Sequence, residues 1–141
     1  MDPTVTTHAF SVFALFGLIW TIQLVHYPMF QLIEAPHWPR FHRYHTRNIT
    51  FIVFPLMMVE LLTSLQLFLE EASFSHSLAL GLAVASWLLT IAVFIPLHNK
   101  VATRPIPGLL ALLVKLNWLR VLVWTIAAVN SFSNFSSTAL Q

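Results

Sequence analysis

Read as apolar and polar positions, the chain alternates four long apolar runs with short polar stretches. The runs lie at about Ala9–Phe30, Asn48–Leu69, Ser77–Leu97 and Asn117–Phe132. Each is close to the roughly 20 apolar residues that cross a bilayer core. The pattern predicts an all-α fold, an integral membrane four-helix bundle of up-down topology, with 1–141 as one four-span domain. Two stretches ahead of a run are polar or amphipathic: "HWPRFHRYHTR" (37–47) and "PIPGLLALLVKL" (105–116). They predict that the second and fourth helices begin before their spans do. Proline suits such a start, because the N–H it lacks would have no helical partner there. No internal repeat stands out.

Composition strengthens the membrane reading. Hydrophobic residues make up 57% of the chain and charged residues 9%, against about 25% charged in soluble domains. So few charges cannot cover a water-facing surface. Twelve phenylalanines and five tryptophans suit a lipid-facing and interfacial surface. The absence of cysteine excludes disulfides, thiolate metal sites and cysteine nucleophiles. A net charge of +2 gives no case for nucleic acid. The opening "MDPTVTTHAF" has no basic n-region or small-residue cleavage site, so the first run reads as a retained span.

Loop charge predicts the orientation. Arg40, Arg43 and Arg47 stand against Glu34 around the first loop, and Lys100 and Arg104 lie in the third, with Lys115 nearby. The second loop has Glu70 and Glu71 and no Lys or Arg. The positive-inside rule puts the first and third loops in the cytoplasm of a bacterial inner membrane. Both termini then lie outside.

That orientation brings one kind of chemistry to one depth. "QLVHYPMF" ends the first helix with His26, one turn after Gln23. His42 and His45 open the second helix, three apart and so on one face. His98 in "IPLHNK" ends the third, and Asn117 and Arg120 open the fourth. A lone histidine in an apolar run is ordinarily a packed one. Four helix ends that agree in depth suggest a shared pocket. Neutral imidazoles ligate iron, zinc or copper, so His26, His45 and His98 form the candidate metal set. Iron, haem or non-haem, is the leading cofactor, and His26 and His98 are the candidate axial pair. No local motif such as HExxH accompanies them. Asn117 and Arg120 offer donors to a substrate oxygen. An Arg inside a span needs a partner or a polar cavity.

Deeper in the second span stands Glu60, about 12 residues or roughly 18 Å past Asn48. An ionised carboxylate is expensive there, so it should be protonated or paired. Ser86, Trp87 and Thr90 on the third helix reach comparable depth as partners. Glu60 is either a structural pin or a proton-handling group, and it joins Asn117 and Arg120 as a catalytic candidate. Trp118 and Trp124, with Trp20, are either anchors or the walls of an aromatic pocket. In the second case Trp118 and Trp124 join His26 and His98 as cofactor-binding candidates. Tyr27 reads as an interfacial anchor, and His8, His37 and His76 read as exposed.

With "VHYPMF", "IPLHNK" and "NWLRVLVW" in hand, the chain resembles a group of small four-helix bacterial membrane proteins. More remotely it is similar to the anthrone-oxygenase-like membrane family. The second likeness rests on the layout of most of the chain and on His98 or Asn99, Trp118 and Arg120. It implies oxygenation of a polycyclic phenol. "FHRYHTR" and Glu60 have no counterpart in that family. Together these readings predict a membrane-embedded enzyme or redox protein that takes an apolar, aromatic or quinone-like small molecule from the lipid bilayer. The alternative is a small cofactor- or pigment-binding accessory subunit, working as a homo-oligomer or in a larger membrane complex. A transporter ranks last, because three glycines offer few broken helices.

Overall fold

Four long helices account for nearly all of the chain. The computed structural model describes residues 2–139, and the side chains of residues 2–134. Helix α1 covers Pro3–Leu32, α2 Trp38–Glu70, α3 Phe74–Val101 and α4 Pro107–Ala139. Each is long and apolar enough to cross a membrane, and the chain is an integral, multi-pass membrane protein. Gln141, the C-terminal residue that loop charge places outside, lies beyond the described residues.

Local chemistry explains the ends. Asp2 caps α1 by accepting the Thr4 N–H at 2.7 Å, ahead of Pro3 in the first turn. Ser73 caps α3 by accepting the His76 N–H at 3.2 Å. Pro39 and Pro107 stand at the starts of α2 and α4, and both helices begin ahead of their spans as the sequence predicts. Pro55 sits inside α2 without ending it. Its lost hydrogen bond is tolerable in a membrane helix when neighbours cover the freed carbonyl.

Neighbours in sequence are neighbours in space. Helix α1 packs on α2 and α4, and α3 packs on α2 and α4, so the up-down bundle is a closed ring of four. At mid-depth its core is Val12, Leu15 and Ile19 of α1, Met57 of α2, and Val121 and Trp124 of α4. Toward the end that carries the Arg and Lys residues, here called the basic end, a second core gathers Tyr27, Phe30, Trp38, Phe94, Leu97 and Val101. Trp38 is fully buried and donates its indole N–H to the Val101 carbonyl at 2.6 Å. That bond ties the start of α2 to the end of α3. Outward-facing Phe10, Phe51, Leu69 and Phe132 are strongly exposed, as a lipid-facing surface requires.

Two helices are irregular in the same way. Residues Ile22–His26 of α1 and Thr90–Phe94 of α3 form π-turns. A proline follows each, Pro28 and Pro96. Proline removes one helical N–H and crowds the carbonyl four residues earlier. Here those carbonyls belong to Leu24 and Ala92, inside the two wide turns. The correspondence is one of register: π-turn, following proline and the next helix-opening proline (Pro28 with Pro39, Pro96 with Pro107) recur 68 residues apart. Sequence identity between the halves is too sparse to reveal it.

Candidate functional site

The π-turns lie where the polar side chains meet. Such turns are frequent at functional sites, because one extra residue per turn redirects the side chains that follow. Below the first, Tyr27 turns inward and is buried. Phe94, the last residue of the second, is buried, and below it His98 faces α2.

The histidines form two pairs. His26 Nε2 and His45 Nδ1 share a hydrogen bond at 2.6 Å, and His42 Nε2 and His98 Nδ1 share one at 3.1 Å. In each, one ring donates and the other accepts, so one proton is held between two nitrogens. The rings of His45 and His98 lie 5.8 Å apart by centroid and link the pairs. His42 and His45 are buried, whereas His26 keeps some exposure. Phe30 and Phe41 wall the His26–His45 pair, with ring centroids 5.1 to 6.4 Å away.

The arrangement lends the expected iron centre no support. The closest nitrogen contacts pair His26 with His45 and His42 with His98, so the expected set of His26, His45 and His98 is split between two pairs. Among the described residues, no group of three or more His, Asp or Glu is placed to hold a metal ion. The role expected of His45 is thus divided, and His42 is the partner of His98.

Arg120 is the second element. It is 7% exposed, and its guanidinium lies over the rings of Phe94 and Trp124, 4.7 and 4.9 Å from their centroids. Its buried Nε has no hydrogen-bond partner. Among the described residues, no carboxylate comes within 4.0 Å of it; the one ion pair is the exposed Glu34 with His37. Cation–π contact stabilises such a charge by about 2 kcal/mol or more when desolvated. That leaves a guanidinium, charged at any biological pH, without an anion.

Arg120 faces a cavity of about 690 Å³ along the seam between α2 and α3. His42, His45, His98 and Tyr27 also line it. Away from the basic end its walls are apolar, with Val53, Phe54 and Met57 from α2 and Trp87 and Ile91 from α3. Phe54, Ile91 and Ile95 are about half exposed on the lipid side, so the cavity opens sideways. Its volume suits a small-molecule ligand.

The other sequence candidates lie elsewhere. Asn117 is fully buried, donates to Gln23 Oε1 at 2.8 Å and does not line the cavity. This is the role of the glutamine one turn before His26: it fastens α1 to α4. Trp118 is 47% exposed and meets Trp20 edge-to-face at 5.8 Å. It points away from the cavity, because one residue along a helix is a turn of about 100° from the inward face of Asn117, Arg120 and Trp124. Trp124 sits behind Arg120 and donates its indole N–H to Glu60 Oε2 at 3.1 Å. Glu60 is thus paired across the bundle with α4. The expected partners on α3 bond to main chain: Trp87 to Met57 O, Ser86 to Ala83 O and Thr90 to Ser86 O. Glu60 is buried outside the cavity lining. His8 is not exposed as expected; it is buried and shares a hydrogen bond with Thr63 Oγ1 at 3.1 Å. Tyr27 and His42 are the lining residues that sequence reasoning undervalued. The spacing of His42 from His45 was the available signal for one, and the inward turn below the α1 bulge left none for the other.

Glu60→Gln keeps an oxygen to accept from Trp124. It should change stability by less than about 1 kcal/mol and leave ligand binding intact. Thermal unfolding in detergent, followed by tryptophan emission, checks the first. A loss of several kcal/mol would mean that the carboxyl itself holds the bundle.

Comparison with family models, with curated proteins and with solved structures returns no match to this chain.

Proposed function

We propose that this protein is a membrane-embedded enzyme that takes an apolar, oxygen-bearing aromatic or quinone-like substrate from the bilayer and moves a proton on it. The observation that carries this reading is Arg120, a buried guanidinium with an unpaired Nε at the wall of a lipid-open cavity. A substrate carbonyl or phenol oxygen beside it gains negative charge when a proton leaves the substrate. A fixed cation in a dry site favours that change. The paired histidines supply the base. His45 lines the cavity, and His26 connects it through one hydrogen bond to the partly exposed basic end. The remote resemblance to the anthrone-oxygenase-like family supports a polycyclic ketone or phenol as the substrate class.

Anthrone provides the test. Its acidic C–H loses a proton, the electron pair moves onto the ring oxygen as the phenolate forms, and the proton goes to a histidine. Full-length protein in nanodiscs should speed the exchange of that hydrogen for deuterium. Arg120→Gln should slow the catalysed exchange about 10²–10³-fold, as loss of one oxyanion donor does. No acceleration by the wild-type protein would sink the reading.

The membrane placement belongs to the same proposal. The excess of Arg and Lys at the basic end favours its exposure to the cytoplasm of a bacterial inner membrane. A reporter fused to the C-terminus should then be active on the extracytoplasmic side. Activity restricted to the cytoplasm would reverse the orientation.

A further inference from the structure

We infer that the seam cavity binds a single-tailed amphiphile in its anionic form, with the charged oxygen at Arg120 and the tail along α2 and α3 toward the membrane centre. This deepens the reading above and rests on it for the site, not for the chemistry.

Charge is the first argument. The groups that face Arg120 are the Tyr27 hydroxyl from α1, His42 and His45 from α2 and His98 from α3, with Arg43 farther out at the basic end. None is an anion at neutral pH in its ordinary form. The carboxyl nearest in the chain of contacts, Glu60, is occupied by the far side of Trp124. An unpaired buried charge is expensive, and bundle residues do not offset this one. An anionic ligand would.

Shape is the second argument. The lining residues of α2 run from Pro39 to Met57 and those of α3 from Trp87 to Asn99, with Ala102 and Thr103 just past its end. Eighteen residues of helix are about 27 Å, so the trough runs from the basic end, ahead of the second span, to Met57 at mid-depth. Over this length the lining passes from Arg43, Asn99 and Thr103, through the histidines and Arg120, to Val53, Met57 and Trp87. A polar end and a long apolar trough match a head and one tail. The volume of about 690 Å³ is that of a single small-molecule ligand, too small for a two-chain lipid.

The probe is an alkyl hydroxynaphthoquinone, whose yellow neutral form turns red on ionisation, added to full-length protein in phosphatidylcholine nanodiscs. Bound probe should ionise about 1–2 pH units lower than in protein-free discs, as a nearby cation lowers an acid's pKa. Its methyl ether, which cannot ionise, should bind at least about tenfold more weakly. Arg120→Gln should remove both effects. Arg120→Lys should keep the ionisation shift at reduced affinity, which guards against a Gln variant that fails to fold. Ile91→Trp fills the trough and should weaken the long-chain probe about tenfold more than the chainless one. A neutral bound probe, or equal binding of the ether by the wild-type protein, would overturn the inference. Displacement of the probe by phosphatidylglycerol discs would overturn the single-tail claim in favour of a lipid headgroup. Anion binding without anthrone exchange would leave this inference standing and remove the enzyme.

Discussion

Exchange catalysed by a His45→Phe variant is expected to fall about 10²–10⁴-fold, the usual contribution of a positioned acid or base. His45 is the one ring that both lines the cavity and bonds to His26, the partly exposed histidine at the basic end. Phenylalanine keeps an aromatic ring against Phe30 and Phe41, which meet His45 at 5.1 and 6.4 Å. Packing should therefore survive while the nitrogen is lost. His45→Ala opens a hole of about the same size, and added imidazole should recover part of the rate there. An unchanged rate in the Phe variant would move the base to the His42–His98 pair. A slow Ala variant that imidazole cannot rescue would make the role of His45 structural.

Trp38→Ala should cost about 3–5 kcal/mol, as truncation of a fully buried tryptophan does. Two losses add up at this position. The ring packs on Phe30, Phe41 and His42 at 5.4 to 6.0 Å, and the 2.6 Å bond to the Val101 carbonyl disappears. The latch between the start of α2 and the end of α3 then opens at the mouth of the cavity. A shift in the thermal midpoint in detergent measures the cost. Trp38→Phe restores most of the apolar area but not the bond, so it should recover more than half. A Trp38→Ala midpoint within a degree or two of the parent would show that the latch carries little stability.

Much of the architecture is legible in the apolar runs alone, because lipid leaves few alternatives to helices. The four spans, the early starts of α2 and α4 and the shared depth of His26, His42, His45 and His98 all follow from counting. Partners do not. Counting at 3.6 residues per turn assumes an unbroken helix, and the π-turns at Ile22–His26 and Thr90–Phe94 break that assumption just above the site. Tyr27 therefore reads in the sequence as an anchor, although it lines the cavity. Glu60 was assigned partners by depth on α3, because depth is countable. The rotation that turns Trp124 toward it from across the ring is not. For Trp118 the reverse holds: residue type groups it with Trp124, yet it points to the outer face while Trp124 is buried.

The bulges also set the register of the recess. One residue added to an α-helix rotates everything after it by about 100° and advances it by about 1.5 Å. Without the added residue in α1, Tyr27 and Phe30 would leave the core and His26 would turn away from His45. Without its counterpart in α3, His98 would swing off His42. The facing of the two histidine pairs thus depends on one extra residue in each of two helices, 68 residues apart. Each is held in place by the proline that follows it.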